Sequence, residues 1–243
     1  VGVRIGSHVV ALGGILAAPP DTLPDDLNAA SDPSPVRCLD AEAEGRMIEA
    51  IDAARRAGDT LGGVVEVIAS GVPVGLGSHV SWDRKLDGRL AGALMSIPAI
   101  KAVEIGSGAE AAMLPGSRVH DEIVRDAAQR RGGGYARTTN RAGGLEGGIT
   151  SGSPLVLRAA MKPISTLMRP LRTVDLRTGE TGEAVRERSD VCAVPAAGVV
   201  AEAMVALVLT EALLEKCGGD SMRELLRNFD GYLEQIGGGG ERG

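Results

Sequence analysis

Aromatic side chains are almost absent from this sequence of 243 residues, which contains one Phe, one Trp and two Tyr. The core must therefore be filled by aliphatic side chains, and hydrophobic residues make up 44% of the chain. The length is sufficient for one large domain or two small ones with such a core.

Cysteine and histidine are scarce as well. The three Cys residues are far apart and form no CxxC pair, which predicts free thiols in a reducing compartment. The three His residues are dispersed along the chain, and this disfavours a metal site built on imidazoles.

A basic surplus is missing too. The chain has 26 Lys and Arg against 32 Asp and Glu, and its net charge of −6 argues against a nucleic-acid partner. We expect no signal peptide. The most apolar stretch, residues 196–214, contains Glu202 and Glu211, so we predict a buried helix, no membrane partner and a cytoplasmic location. The first residue is Val1, from which we expect the chain to begin inside a longer protein.

Hydrophobic periodicity predicts an α+β fold in which helices pack on antiparallel or mixed sheets. The predicted strands are residues 1–16, 100–105, 154–161 and 171–176, with a further short one at 183–187, and residues 62–77 are predicted to form a hairpin or a bent strand. The predicted helices are residues 41–57, 83–97, 118–130, 196–216 and 221–236. Residues 17–37 are predicted to form a surface excursion, residues 1–236 to belong to one domain, and residues 237–243 to form a disordered tail.

Glycine is the abundant residue, and it clusters in the segment RTTNRAGGLEGGITSGSP, residues 137–154. Paired glycines permit positive φ and a close approach of the backbone to a ligand. They equally suit a turn between strands. The segment matches neither the Walker A pattern nor GxGxxG.

Three further segments carry polar groups that could act together. Lys162-Pro163-Ile164-Ser165-Thr166 could hold a phosphate at a strand end, or be an ordinary exit from the strand. Arg188 and Asp190 could serve a site or form a surface ion pair. The run 120–122, His-Asp-Glu, could supply acid–base or metal groups, or cluster at a helix N-terminus.

Longer blocks of the chain resemble the chorismate synthase family in their order and in their sequences, over nearly the whole chain. The blocks are GDTLGGVVEVIASGVPVGLGS (58–78), RKLDGRLAGALMSIPAIKAVEIGSG (84–108), GSRVHDEI (116–123), RTTNRAGGLEGGITSGSP (137–154), AAMKPISTL (159–167) and ERSDVCAVPAAGVVAEAMVALVL (187–209). The resemblance implies a β-α-β sandwich, a homotetramer and tightly bound reduced FMN. The implied reaction is the 1,4-elimination of phosphate from 5-enolpyruvylshikimate 3-phosphate to give chorismate.

The same resemblance assigns roles to individual residues. Pro98, Ala99 and Gly147 occupy positions that contact the flavin. The stretch Lys162, Pro163, Ile164, Ser165 and Thr166 borders its phosphate and ribityl chain. Arg188 matches an arginine that binds the cofactor, and Asp190 matches the acid beside the flavin ring that influences proton movement.

The sequence departs from the family pattern at several places. Ser107 and Ala109 stand where the family has Asp and Phe, and SGS (151–153) replaces an Asn-Gly-Glu or Asn-Gly-Gln type. The family's N-terminal blocks, with two histidines and several substrate-binding arginines, have no counterpart here, and His8 is not one of those histidines. We therefore expect the residues given to lack lyase activity on their own. The alternative is a truncated, non-catalytic homologue that binds flavin or associates with full-length subunits.

Overall fold

The computed structural model describes residues 1–237 and shows an α+β fold. The strands are β1 (Arg4–Leu12), β2 (Ile15–Leu16), β3 (Gly63–Ser70), β4 (Ile100–Ile105), β5 (Ile123–Arg125), β6 (Tyr135–Arg137), β7 (Leu145–Glu146), β8 (Ile149–Thr150), β9 (Leu155–Met161), β10 (Arg172–Val174) and β11 (Thr181–Glu183). The helices are α1 (Leu27–Ser31), α2 (Ala41–Ala57), α3 (Leu86–Met95), α4 (Val194–Cys217) and α5 (Met222–Gly237). Of the predicted disordered tail, Gly237 ends α5, and residues 238–243 lie outside the described residues.

Five strands form one antiparallel sheet in the order β2-β1-β3-β9-β4. The register pairs Val67 of β3 with Ser7 of β1 on one side and with Leu157 of β9 on the other. β3 is buried on both faces along its centre, as expected of a strand in the middle of a sheet. This confirms the predicted class of an antiparallel sheet packed with helices.

Two helices, α3 and α4, pack together on one face of the sheet. Helix α3 lies within the helix predicted over residues 83–97, and its Leu86, Leu90 and Leu94 are fully buried. By length and composition α4 could cross a membrane, but its residues Val194, Ala201 and Val205 are fully buried in the core shared with the sheet. The apolar character of α4 is therefore used in the protein core, as the sequence predicted.

Helix α2 has the boundaries predicted from the sequence. At its N-terminus the Asp40 carboxylate accepts hydrogen bonds from the backbone N–H groups of Glu42 (3.0 Å) and Ala43 (3.1 Å). At its C-terminus Gly58 adopts the left-handed conformation with φ +70°. The signals at both ends are local, so sequence alone places this helix.

The predicted single strand over residues 1–16 is wrong in one respect. Gly13 and Gly14 have φ of +59° and +84°, and they turn the chain so that β2 folds back on the end of β1. A left-handed pair of this kind forms tight hairpins because glycine has no Cβ to clash with the backbone.

The predicted surface excursion, residues 17–37, also carries structure. It contains α1, and it closes the free edge of β1 with side-chain and backbone hydrogen bonds. The Asn28 side-chain oxygen accepts from Ser7 N (3.0 Å), and Val9 N donates to the Arg37 carbonyl (2.8 Å). The Arg37 guanidinium reaches Glu202 on α4 at 3.1 Å, so the excursion is tied to the helical layer. Covering an open edge in this way protects it from pairing with other chains.

The helix predicted over residues 118–130 is wrong. The structure has 3₁₀ turns at Gly116–Arg118 and Arg130–Gly132, and between them β5 pairs with β6. The strand predicted near residues 183–187 lies earlier, as β11, and pairs with β10. These strands have three residues each, which is too short to show the alternation by which strands are recognised in a sequence.

A row of charged side chains crosses the face of the sheet opposite the helices. The Glu66 carboxylate accepts from His8 Nε2 at 3.1 Å and from Arg158 Nε at 2.7 Å. The register places Glu104 of β4 next to Arg158 in the same row. Because Glu66 is only 8% exposed, its charge depends on these two neighbours.

Candidate functional site

Four segments meet where β3 begins and β9 ends. We call them the four-loop cluster, and they are residues 58–62, 98–99, 162–166 and 188–192. Three hydrogen bonds join them: Lys162 N to the Ala99 carbonyl (2.9 Å), Thr60 Oγ1 to the Ile164 carbonyl (2.6 Å), and Leu61 N to the Val191 carbonyl (2.8 Å). The antiparallel sheet produces this meeting, because antiparallel neighbours place the start of one strand beside the end of the next.

The segment Lys162–Thr166 directs polar groups outward. Lys162 and Ser165 are exposed, and within residues 1–237 the Lys162 ammonium donates its one hydrogen bond to the Pro163 carbonyl, at 3.3 Å. The Ile164 carbonyl points inward to Thr60. An ammonium and hydroxyls on one exposed strand exit are suited to an anionic ligand such as a phosphate.

Ala99 has a strained backbone. Its φ is +69°, a left-handed conformation that residues other than glycine rarely adopt. The strain persists because the Ala99 carbonyl accepts from Lys162 N and because the turn must join α3 to β4. Strain of this kind concentrates at sites that bind ligands.

We expect Ala99→Gly to stabilise the fold by about 1 kcal/mol, because glycine relieves the left-handed strain. The matched control is Ala102→Gly on β4, where φ is not positive and glycine should destabilise by about 0.5–1 kcal/mol. Urea unfolding measures both. A loss of stability in Ala99→Gly as large as in the control would show that Ala99 is not strained.

The segment 188–192 joins the cluster through its backbone. Arg188 and Asp190 are exposed, and within residues 1–237 they form no ion pair with each other, which removes that interpretation of their spacing. Cys192 forms a parallel bridge with Leu61, and burial raises the pKa of its thiol. The backbone contacts of Val191 and Cys192 with Leu61 join this segment to the cluster, and Arg188 and Asp190 lie at its exposed rim.

The structure does not bring Gly147 to the cluster. Gly147 is exposed, with φ +62°, in the turn between β7 and β8. Its neighbour Gly148 accepts from Leu86 N (2.9 Å) at the start of α3, whereas Pro98 follows the end of that helix. Pro98, Ala99, Lys162–Thr166, Arg188 and Asp190 therefore share one end of the sheet, and Gly147 lies at the other.

Asp121 organises the glycine-rich segment. Its carboxylate accepts from Arg141 N (2.9 Å), Ala142 N (2.9 Å) and the Thr139 hydroxyl. Burial raises the pKa of Asp121, but these hydrogen bonds outweigh burial and leave that pKa below its usual value. Residues 120–122 do not begin a helix, and residues 1–237 contain no group of three His, Cys, Asp or Glu that could hold a metal.

Sequence reasoning missed the segment 58–62, although it contacts two of the predicted site segments. Within this segment, Gly62 is the residue whose type reflects a close contact with a predicted site segment. A Cβ at Gly62 would lie 2.9 Å from Pro163 N and closer still to the Met161 carbonyl oxygen. The contacts made by Thr60 and Leu61 join residues more than 100 positions apart, so no short motif reveals them.

Comparison with known proteins identifies similar chains. The family model described as chorismate synthase matches residues 1–214. The chain is 59% identical over 239 residues to the chorismate synthase of Nocardioides sp. strain JS614, covering 97% of this chain and 59% of that protein. It is 59% identical over 238 residues to the chorismate synthase of Geobacter sulfurreducens, covering 97% and 61%.

A solved structure is similar as well. A chain from a crystal structure of chorismate synthase superposes with a TM-score of 0.77 at 43% identity, covering 98% of this chain and 64% of that chain. The chain spans about three fifths of the length of the curated relatives it matches.

Proposed function

This chain belongs to the chorismate synthase family, and from that premise we propose that the protein eliminates phosphate from 5-enolpyruvylshikimate 3-phosphate to give chorismate. The proposal includes reduced FMN as the cofactor, a homotetramer as the assembly and the cytoplasm as the location. It places residues 1–236 in a single domain. The convergence of three predicted flavin-binding segments in the four-loop cluster is the observation that carries the proposal.

The cluster offers groups that fit FMN. The Lys162 ammonium and the hydroxyls of Ser165 and Thr166 would hold the phosphate and ribityl chain, and the Arg188 guanidinium adds a second positive charge. The turn at Pro98 and Ala99 would border the ring system. A lysine and an arginine at one rim also favour the anionic substrate.

The reaction breaks the C–O bond to phosphate and removes a proton from C6 of the substrate; the existing ring double bond shifts, and a second ring double bond forms. Reduced FMN, when bound, supplies an electron transiently, so that phosphate leaves more easily and no flavin is consumed overall. The carboxylate of Asp190 would hold a proton at its Oδ atoms beside the ring. The cations would orient the substrate for this step.

Lys162→Ala in the intact protein should weaken FMN binding about tenfold, because the phosphate loses a charge-assisted hydrogen bond. The matched control is Lys101→Ala, an exposed lysine on β4 outside the cluster, which should leave the affinity unchanged. Titration under reducing conditions measures FMN affinity, and release of inorganic phosphate measures turnover. Equal FMN affinities in wild type and Lys162→Ala would remove Lys162 from the site, and absence of phosphate release by the wild type would refute the proposed reaction.

A further inference from the structure

Thr60 is a buried polar residue with one prominent contact. Its side chain lies on the connection between α2 and β3 and is 7% exposed. Its hydroxyl donates a 2.6 Å hydrogen bond to the carbonyl of Ile164, 104 positions away. Its backbone N–H donates to the carboxylate of the preceding residue, Asp59, at 2.8 Å.

The segment 162–169 is held at three points. Lys162 N donates to the Ala99 carbonyl at its start, Thr60 holds Ile164 in the middle, and Arg169 N donates to the Gly58 carbonyl (3.0 Å) at its end. Only the middle point is a side-chain contact. A substitution at Thr60 can therefore remove it without changing the backbone hydrogen bonds on either side.

The hydrogen bond at Ile164 also sets the direction of the next N–H group. The carbonyl of Ile164 and the N–H of Ser165 belong to one planar trans peptide unit, in which the two groups point in opposite directions. Because the Ile164 carbonyl points to Thr60, the Ser165 N–H points away from Thr60, and the neighbouring residues Lys162 and Ser165 are exposed. Within residues 1–237 the Ser165 N–H donates no hydrogen bond.

We propose that Thr60 is a positioning residue for the phosphate of the flavin. It orients the peptide unit between Ile164 and Ser165, so that the Ser165 N–H donates to a phosphate oxygen beside Lys162. The inference rests on the proposed flavin site. It adds a buried residue that touches neither cofactor nor substrate, and it specifies that Thr60 acts on the phosphate end of the ligand.

The test compares two flavins. Thr60→Val keeps the size of the side chain and removes the donor, and Thr60→Ser keeps the hydroxyl. FMN should bind about tenfold more weakly to Thr60→Val in the intact protein, whereas riboflavin, which has no phosphate, should bind with unchanged affinity. Thr60→Ser should restore the wild-type ratio of FMN to riboflavin affinity. Thr60→Cys, with a weak donor of similar size, should give an intermediate ratio and serves if the Val variant does not fold.

The outcomes separate the inference from the proposed function. If wild type binds FMN, and Thr60→Val weakens the binding of FMN and riboflavin equally or changes neither affinity, the inference is overturned. Thr60 then has no specific role toward the phosphate. If wild type binds neither flavin, the flavin site itself is refuted. The inference is established if Thr60→Val loses affinity for FMN alone and Thr60→Ser keeps the wild-type affinity.

Discussion

Gly106→Ala is expected to lower the free energy of unfolding by about 4 kcal/mol. Gly106 follows β4 with φ +60°, and a Cβ there would lie 2.5 Å from Gly143 N and closer still to the Arg141 carbonyl oxygen. Alanine in the left-handed region costs about 1 kcal/mol, and overpacking against rigid backbone adds about 3 kcal/mol. The glycine-rich segment would have to leave the end of the sheet to make room.

Gly147→Ala separates the two contributions. Gly147 has nearly the same φ, +62°, but a Cβ there meets no atom within 4 Å. This variant should lose only about 1 kcal/mol, from backbone strain alone. Urea unfolding of both variants gives the difference directly. Similar losses in the two would contradict the close approach of residues 141–143 to Gly106.

These two glycines show why the segment 137–154 could not be interpreted from its sequence. Glycine spacing permits both a ligand contact and a tight turn, and only the neighbouring backbone decides between them. Gly106 lies more than 30 positions before its neighbours, and nothing in the sequence pairs them. The family resemblance gave Gly147 a role, but the structure places it away from the other predicted flavin contacts.

Elements with local signals were predicted well. Asp40 and Gly58 define α2, and the spacing of Leu86, Leu90 and Leu94 defines α3, because capping and amphipathic periodicity act within a few turns of one helix. The failures occur in short elements that show no clear periodicity, as at residues 118–130, where a helix was expected and β5 instead forms a hairpin with β6. In the site, the exposed cations and hydroxyls could be found in the sequence, whereas the hydrogen bond from the buried Thr60 to Ile164, 104 positions away, could not.

Glu66→Gln is expected to lower the free energy of unfolding by about 3 kcal/mol. Glu66 lies in the row of charged side chains on the sheet, which the sequence did not reveal. Glu66 accepts from both His8 and Arg158, but a glutamine amide has one acceptor and must turn its NH₂ toward one of these donors. Breaking a buried ion pair destabilises by about 3–5 kcal/mol. The lower end applies because the Arg158 side chain is 38% exposed and its charge stays partly solvated. Asp52→Asn, which breaks an exposed pair with Arg55, is the control and should change stability by less than about 0.5 kcal/mol.

The pH dependence tests whether charge is the cause. Burial raises the pKa of Glu66, but the hydrogen bond from His8 and the charge of Arg158 outweigh it and leave that pKa below the ordinary 4.5. A lowered pKa in the folded state means that the unfolded chain binds more protons near this pH, so the Glu66 contribution is present above 4.5 and is lost as pH falls through the folded value. The stability difference between wild type and Glu66→Gln should therefore be full at pH 7 and shrink below pH 4.5. A difference that stays constant down to pH 3 would assign the effect to the shape of the side chain, because a protonated carboxyl and an amide carry the same charge.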